Sequence, residues 1–324
     1  MDAPAPAAID PATRVLIVDP LHRSAIERLR SVCEVTVRLG PSQAELQELV
    51  CNAEVLVMRS GVRLTAAVID AAPALRLVAR AGVGVDNIDL AAAERAGVTV
   101  FNVPAQSSSS VAEFTFALVL AVTRRIPLAS AQVRRNEWRK PELVGDELRD
   151  GTIGIVGLGA IGSLLAAHAR GFQMRVLASV GSPSDRRRRD LAREGIELVD
   201  LDRLLREASV VCVTAPLTEE TRGLIAAPEL KLMPSGAYLV NVSRGGVVDE
   251  GALYAALERG ELAGAALDVV AAEGEANRLA ELDNVVLTPH IGAMTDQAQR
   301  RVGEAVVSSI LAGLLGRPIA TQVC

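Results

Sequence analysis

The stretch that decides the fold is Gly151–Gly162, which reads G-T-I-G-I-V-G-L-G-A-I-G. Its apolar run, Ile153–Val156, predicts a strand buried on both faces. The run ends in a G-x-G-x-x-G turn, Gly157–Gly162, and passes into an apolar segment with the pattern of a helix. In such a unit the first glycine permits the tight turn, Gly159 lets a pyrophosphate approach the backbone, and Gly162 lets the helix pack on the strand. A glycine turn alone would indicate only packed elements, but with the strand before it and the helix after it we predict a dinucleotide site.

The composition describes a globular chain. Its 324 residues predict about two domains, and 50% hydrophobic and 23% charged residues exclude a disordered chain. The net charge of −5 gives no reason to expect nucleic acid or a membrane surface as a partner. No apolar run reaches the ~18 residues of a membrane span.

Compartment and metal content are predicted from the N-terminus and the cysteines. Residues 1–13 are rich in Ala and Pro and lack the pattern of a signal peptide, so we predict a disordered leader. The four cysteines show neither C-x-x-C pairing nor a metal-ligand grouping with the three histidines. The sequence therefore predicts free thiols, a cytoplasmic location and no metal site.

The first hundred residues alternate strand-like and helix-like segments, which is typical of a parallel α/β sheet. Strands are predicted at 15–18, 35–37, 55–58, 75–79 and 98–100, and helices at 24–32 and 45–51. Ligands bind at the carboxyl ends of such strands, so Arg59 and Ser60 after the third strand are predicted to contact substrate. The loop Ala81–Gly84 is a second candidate, where the glycines either turn the chain or present N–H groups to an anion.

The nucleotide unit is predicted to begin near Ser107. A serine cluster, Ser107–Ser110, could cap a helix over 111–123 that is apolar nearly all round and is therefore buried in a core or a subunit contact. The preceding hundred residues would form a separate α/β domain. Beyond the glycine turn, further strands are predicted at 175–178, 210–214, 238–242, 265–267 and 285–287.

Polar or small residues follow each of these later strands, at the edge where a parallel sheet binds ligands. His290 follows the last strand and is the histidine best placed for acid–base chemistry. Arg244 follows another strand within N-V-S-R-G-G, where it could hold an acidic substrate. A carboxylate beside His290 would fix its tautomer, and by spacing alone Glu273 competes with the nearby Glu275 and Glu281 for this role.

The chain resembles the D-isomer-specific 2-hydroxyacid dehydrogenase family. The segments that carry the resemblance are 79–89, 110–113, the turn at 157–162, 239–249, 264–269 and 287–293. The resemblance implies an α/β fold of two doubly wound, Rossmann-like parallel-sheet domains with the active-site cleft between them. It assigns 14–106 plus 295–324 to a flavodoxin-like substrate domain and 107–294 to the dinucleotide-binding domain. It also implies a homodimer through the nucleotide domains, and we expect no regulatory domain after Cys324.

The resemblance also assigns roles. His290 would be the general acid/base, Glu273 would pair with it, and Arg244 would hold the carboxylate and carbonyl oxygen of a 2-oxo or D-2-hydroxy acid. The N–H groups of Val83 and Gly84 would receive the substrate carboxylate. With the glycine turn, the predicted cofactor-binding set is Ser107, Gly157, Gly159, Ala160, Ile161, Gly162, Val180, Ala215, Pro216, Thr221, Val242, Ser243, Asp268, Gly292 and Ala293.

Departures from the family pattern lie at both ligand sites. The aromatic-plus-acidic stretch after Asp268 is replaced by Val270-Ala271-Ala272, and the proline after the glutamate by Gly274. The asparagine usual at position 107 is Ser107. Val180 stands where the family commonly has the ribose-binding Asp, and Arg186–Arg189 follow shortly after. The cofactor is therefore predicted as NAD(H) or NADP(H), with a slight preference for NADP(H) unless Asp185 folds back to the ribose.

Two functions are compatible with the sequence. The main hypothesis is an NAD(P)-dependent D-2-hydroxyacid dehydrogenase of the phosphoglycerate dehydrogenase or glyoxylate/hydroxypyruvate reductase type. Arg59 would then meet a distal substrate phosphate or be a solvated loop arginine. The alternative is a non-catalytic nucleotide-sensing scaffold like the C-terminal binding protein corepressors, which resemble this family and keep the same triad.

Overall fold

In a computed structural model, which describes residues 9–324, strands and helices alternate along most of the chain. The strands are β1 (Arg14–Ile17), β2 (Glu34–Val37), β3 (Val55–Met58), β4 (Leu77–Arg80), β5 (Thr99–Asn102), β6 (Thr152–Val156), β7 (Arg175–Ser179), β8 (Ile196–Leu198), β9 (Val210–Val213), β10 (Tyr238–Asn241), β11 (Gly264–Leu267) and β12 (Val285–Leu287). The α-helices are α1 (Arg23–Arg30), α2 (Gln43–Val50), α3 (Ala66–Asp70), α4 (Leu90–Arg95), α5 (Ser108–Thr123), α6 (Ile126–Arg134), α7 (Ala160–Gly171), α8 (Asp185–Arg193), α9 (Leu201–Glu207), α10 (Ala227–Leu230), α11 (Glu250–Glu258) and α12 (Asp296–Leu314). Short 3-10 helices cover Lys140–Leu143 and Arg278–Glu281.

The described chain forms two compact units, one of residues 9–107 with 294–324 and the other of residues 108–293. The first contains a parallel sheet in the order β2-β1-β3-β4-β5, and the second a parallel sheet in the order β12-β11-β10-β9-β6-β7-β8. Central strands such as β3 and β10 are buried along their whole length, as strands covered by helices on both faces must be. The prediction of two doubly wound parallel-sheet domains is confirmed.

The first unit is completed by the C-terminal segment. Helix α12 packs on α1 and β4, and Phe101 in β5 forms an antiparallel bridge with Gln322. Residues 1–8 of the predicted leader lie outside the described residues. Thr13, its last residue, is buried, and its carbonyl accepts a hydrogen bond from the Glu34 N–H, so Thr13 belongs to the folded unit.

In the second unit, helix α5 begins at Ser108, three residues before the predicted start at 111. Buried side chains on several sides of the helix, including Val111, Phe116 and Val119, contribute to a core shared with β6 and α7. Within residues 9–324, no single helix has the length and apolar content to cross a membrane, although the bent pair of α5 and α6, 63° apart, reaches those values together.

Candidate active site

The glycine turn between β6 and α7 has the shape that a pyrophosphate needs. Gly157 has φ +94°, and a Cβ on it would lie 2.6 Å from the Ala215 nitrogen. A Cβ on Gly162 would lie 2.4 Å from the Gly157 oxygen, so α7 contacts the turn directly. Above Gly159, in contrast, a Cβ would have no described heavy atom within 4 Å. Open space beside the N-terminus of the 12-residue helix α7 is what a dinucleotide phosphate requires, so the turn fits this group.

This turn lies where the strand order of the sheet reverses. Strand β6 pairs with β7 on one side and β9 on the other, and ligands bind at the carboxyl ends of strands at such a point. Ala215 and Pro216 follow β9, and Thr221 closes the next loop by donating from Oγ1 to the Pro216 oxygen at 2.6 Å. Val242 and Ser243 follow the neighbouring strand β10, and both are buried.

An arginine reaches back to the glycine turn from α8. Ser184 caps this helix, accepting from the Arg187 N–H, and the Arg187 guanidinium donates from Nη2 to the Leu158 oxygen at 2.7 Å. Val180, at the end of β7, packs against the core, and Asp185 is exposed at the start of α8. The Arg187 guanidinium therefore contacts Leu158, the residue between the first two glycines of the turn.

The backbone at His290 is held in an unusual conformation. Its φ is +54°, a left-handed value that costs a non-glycine residue about 1–2 kcal/mol and therefore has to be held in place by neighbours. The Asp268 carboxylate, 2% exposed, accepts from the Ile291 N–H at 2.9 Å and the Gly292 N–H at 2.8 Å. It also accepts from the Thr288 hydroxyl at 2.6 Å, and the His290 N–H donates to the Asp268 carbonyl. Asp268, predicted as a cofactor contact, thus shapes the histidine turn.

The side chain of His290 pairs with Glu273. The His290 Nδ1 lies 2.8 Å from the Glu273 Oε1, and the two side chains are 30% and 49% exposed. Because Nδ1 faces the carboxylate, Nε2 is the nitrogen left for a substrate. Of the two competing carboxylates in the sequence, Glu275 donates its N–H to the Ala272 carbonyl within the same loop, and Glu281 ends the 3-10 helix that follows. Spacing left the partner of His290 open, and the structure brings it together with Glu273.

Arg244 lies in a turn shaped by a buried asparagine. Asn241, 1% exposed, accepts from the Ser243 N–H and hydroxyl and donates from Nδ2 to the Arg244 carbonyl. The Arg244 Nη1 donates to the Ser243 carbonyl at 2.7 Å. Because β10, β11 and β12 are neighbours in register, Arg244, Glu273 and His290 all follow strands that end at one edge of the sheet.

The predicted substrate residues Arg59, Ser60, Val83 and Gly84 belong to the other unit, as does Ser107. The Arg59 N–H donates to the buried Asp19, and its Nη1 donates to Gln299 on α12 at 2.7 Å. The Arg59 side chain is half-buried, and burial lowers its pKa, with Asp19 opposing the change. Val83 is 47% exposed, and its carbonyl accepts from Asn102.

Sequence reasoning missed two side chains that organise these loops, Asn241 and Glu250. In the sequence, Asn241 lies within the apolar run 238–242, which predicts a strand and no further role. Glu250 directly follows Asp249 as the first residue of α11, and it accepts from the backbone of the loop that carries Glu273. The only local signal was a helix cap at Asp249, which accepts from the Ala252 N–H. Among the described residues, no group of three His, Cys, Asp or Glu side chains could hold a metal ion.

The sheet order and the open glycine turn define a dinucleotide-binding α/β protein, which carries the histidine–glutamate pair in the same unit. Residues 116–292, more than half of the chain, match the family model described as the NAD binding domain of D-isomer specific 2-hydroxyacid dehydrogenases. The chain therefore belongs to the D-isomer-specific 2-hydroxyacid dehydrogenase family, and the resemblance seen in the sequence is confirmed.

Curated relatives agree with this assignment. A D-3-phosphoglycerate dehydrogenase of Methanocaldococcus jannaschii is 43% identical over 305 residues, covering 94% of this chain and 58% of the relative. The chain thus spans little more than half the length of that relative. A hydroxypyruvate reductase of Thermotoga maritima is 39% identical over 302 residues, covering 92% of this chain and 97% of the relative.

A solved structure has the same fold. The D-lactate dehydrogenase of Aquifex aeolicus, solved in complex with NAD and lactic acid, superposes with a TM-score of 0.84 at 30% identity. The match covers 96% of this chain and 98% of the solved chain.

Proposed function

We propose that the protein is an NAD(P)-dependent oxidoreductase that interconverts 2-oxo acids and D-2-hydroxy acids. The observation that carries the proposal is the 2.8 Å contact between His290 and Glu273 in the unit that holds the glycine turn. An acid–base group and a dinucleotide site in one sheet are what alcohol–carbonyl hydride transfer requires. The family membership and the relatives named above support the same class of reaction.

In this proposal each side chain has a separate task in reduction. The nicotinamide, when bound, supplies the hydride to the substrate carbon. His290, protonated, donates the proton of Nε2 to the carbonyl oxygen, while the Glu273 carboxylate stabilises the imidazolium through Nδ1–H. The Arg244 guanidinium binds the substrate carboxylate, since its planar donors match a carboxylate. In oxidation His290 starts neutral and accepts the alcohol proton.

The test of this function is turnover with a panel of 2-oxo acids. Purified protein is mixed with reduced NAD or NADP and glyoxylate, hydroxypyruvate or phosphohydroxypyruvate, and cofactor oxidation is followed by absorbance. We expect turnover with at least one acid, and a loss of about 100-fold or more in kcat for His290→Ala with cofactor binding retained. His22→Asn, which keeps an acceptor at the cap of α1, is the matched histidine control. No turnover across the panel would favour the corepressor-like scaffold.

We also infer that NADP(H) is accepted. The end of β7 carries the core-packed Val180 rather than a carboxylate, and the Arg187 guanidinium lies against the glycine turn. A 2′-phosphate needs a cation of this kind, because arginine binds phosphate through two parallel hydrogen bonds.

We also propose that the protein forms a homodimer through the unit that holds the glycine turn. Within 126–144 four apolar side chains are exposed: Ile126 at 52%, Val133 at 49%, Trp138 at 74% and Val144 at 75%. Ile126 and Val133, seven residues apart on α6, share a helix face. A second copy of the chain would cover this surface. We expect Trp138→Glu to convert a dimer to a monomer in light scattering, whereas Leu39→Glu, 57% exposed in the other unit, should not.

A further inference from the structure

The loop that carries Glu273 has few side-chain anchors of its own. Around the glutamate stand Ala271, Ala272 and Gly274, and residues 271–276 are exposed. Gly274 has φ +88°, and a Cβ on it would meet nothing within 4 Å. A loop with such small side chains loses much conformational entropy on ordering, so the position of Glu273 has to be fixed from outside the loop.

One carboxylate contacts this loop on both sides of Glu273. The Glu250 Oε1 accepts from the Ala271 N–H at 2.6 Å, and its Oε2 accepts from the Asn277 Nδ2 at 2.7 Å. The Asn277 Oδ1 in turn accepts from the Leu279 N–H at 2.9 Å, which ties the end of the loop to the 3-10 helix that follows. Glu250 therefore fixes residues 271 and 277, and Glu273 lies between them.

The start of the loop also packs against the backbone of the segment between β10 and α11. A Cβ on Gly245 would lie 2.1 Å from the Val270 oxygen and 2.4 Å from the Ala271 nitrogen. Gly245 directly follows Arg244, and Glu250 opens α11 a few residues later. The segment between β10 and α11, which carries Arg244, thus also supports the loop that carries Glu273.

We propose that Glu250 is a positioning residue that holds Glu273 against the His290 imidazole by clamping residues 271–277. The inference rests on the proposed function, in which Glu273 supports His290 as acid–base group. Glu250 lies in the first turn of α11, where the helix dipole favours a carboxylate. The anionic form is the one that can accept both hydrogen bonds at once.

The test replaces one acceptor oxygen with an amide. Glu250→Gln keeps the size of the side chain, but its single oxygen can serve only one of the two donors, and its NH₂ faces the other. We expect kcat to fall about 5- to 50-fold, since hydrogen bonds to charged groups are the stronger kind, while the KM for the cofactor stays within about twofold. Glu273→Gln should move the acidic limb of the pH–rate profile for hydroxy-acid oxidation to lower pH, because the imidazolium of His290 loses its counter-charge. Glu250→Gln should move this limb in the same direction.

Two further measurements separate positioning from simple stabilisation. In the Glu250→Gln/Glu273→Gln double variant, kcat should be no lower than in Glu273→Gln alone, because residues that act as a unit are not additive. Glu229→Gln, which makes the same change at a carboxylate that accepts from the Ala226 N–H, should leave kcat and the pH profile unchanged. Additive losses, or a lower stability to urea with an unchanged pH profile, would overturn the proposal.

Hydrogen exchange gives a readout that does not depend on turnover. The Ala271 amide should exchange slowly in the wild-type protein and at least about tenfold faster in Glu250→Ala, because both acceptor oxygens of the side chain are lost. If the wild-type protein turned over no 2-oxo acid but this difference were present, the proposed function would fail while the clamp stood. Equal exchange in the two proteins would refute the clamp itself.

Discussion

Replacing Arg187 by alanine tests the cofactor assignment most directly. The Arg187 Nη2 lies 2.7 Å from the Leu158 oxygen, next to Gly157 and Gly159 of the phosphate-binding turn. A charge-assisted hydrogen bond contributes about 1.5–3 kcal/mol, which corresponds to roughly 10- to 150-fold in kcat/KM. Because Arg187 is exposed, solvent screening places the expected loss for NADPH near the lower end, about 10- to 30-fold.

The assay is kcat/KM for NADPH and for NADH with one 2-oxo acid. NADH lacks the 2′-phosphate, so Arg187→Ala should change its kcat/KM by less than about threefold. Arg186→Ala is the matched control, because Arg186 is exposed on the same helix and pairs with Asp190. Equal losses with both cofactors would mean that Arg187 supports the turn rather than a phosphate, and no loss with either would refute the reasoning. A wild-type preference for NADH would instead indicate Asp185 or backbone groups as the ribose partner.

Three further predictions address the turn, the substrate and the thiols. Gly162→Ala should weaken the binding of both cofactors in fluorescence titrations, since its Cβ would lie 2.4 Å from the Gly157 oxygen. Gly171→Ala is the control and should leave cofactor binding unchanged, because a Cβ there meets open space at the end of the same helix. Arg59→Ala should lower kcat/KM for phosphohydroxypyruvate more than for hydroxypyruvate, because a guanidinium binds a phosphate through two parallel hydrogen bonds. Equal losses would contradict this role. Burial raises the pKa of the Cys212 thiol, so alkylation monitored by mass spectrometry should modify the exposed Cys51 first and Cys212 only on unfolding; early modification of Cys212 would contradict its burial.

Much of the fold follows from local patterns in the sequence. Runs such as Val55–Met58 form the predicted strands because consecutive apolar residues satisfy a strand that is covered on both faces. Ser42 caps α2 through a capping box with Glu45, a feature that depends on four consecutive residues. Strand β8 and helix α6 are among the elements that the sequence does not predict, because β8 reads Ile-Glu-Leu without a continuous apolar run and α6 lacks a strongly amphipathic pattern.

The sequence by itself determined the strand–turn–helix at Gly157–Gly162 and the placement of Arg244 and His290 directly after strands, because these depend on residues adjacent in the chain. Only the tertiary structure decided that Glu273 rather than Glu275 meets His290, that Arg187 reaches the Leu158 carbonyl, and that Glu250 clamps the Glu273 loop. The physical reason is that such contacts join residues from different strand ends. They depend on the path of each loop and the direction of each side chain, which spacing along the chain does not encode.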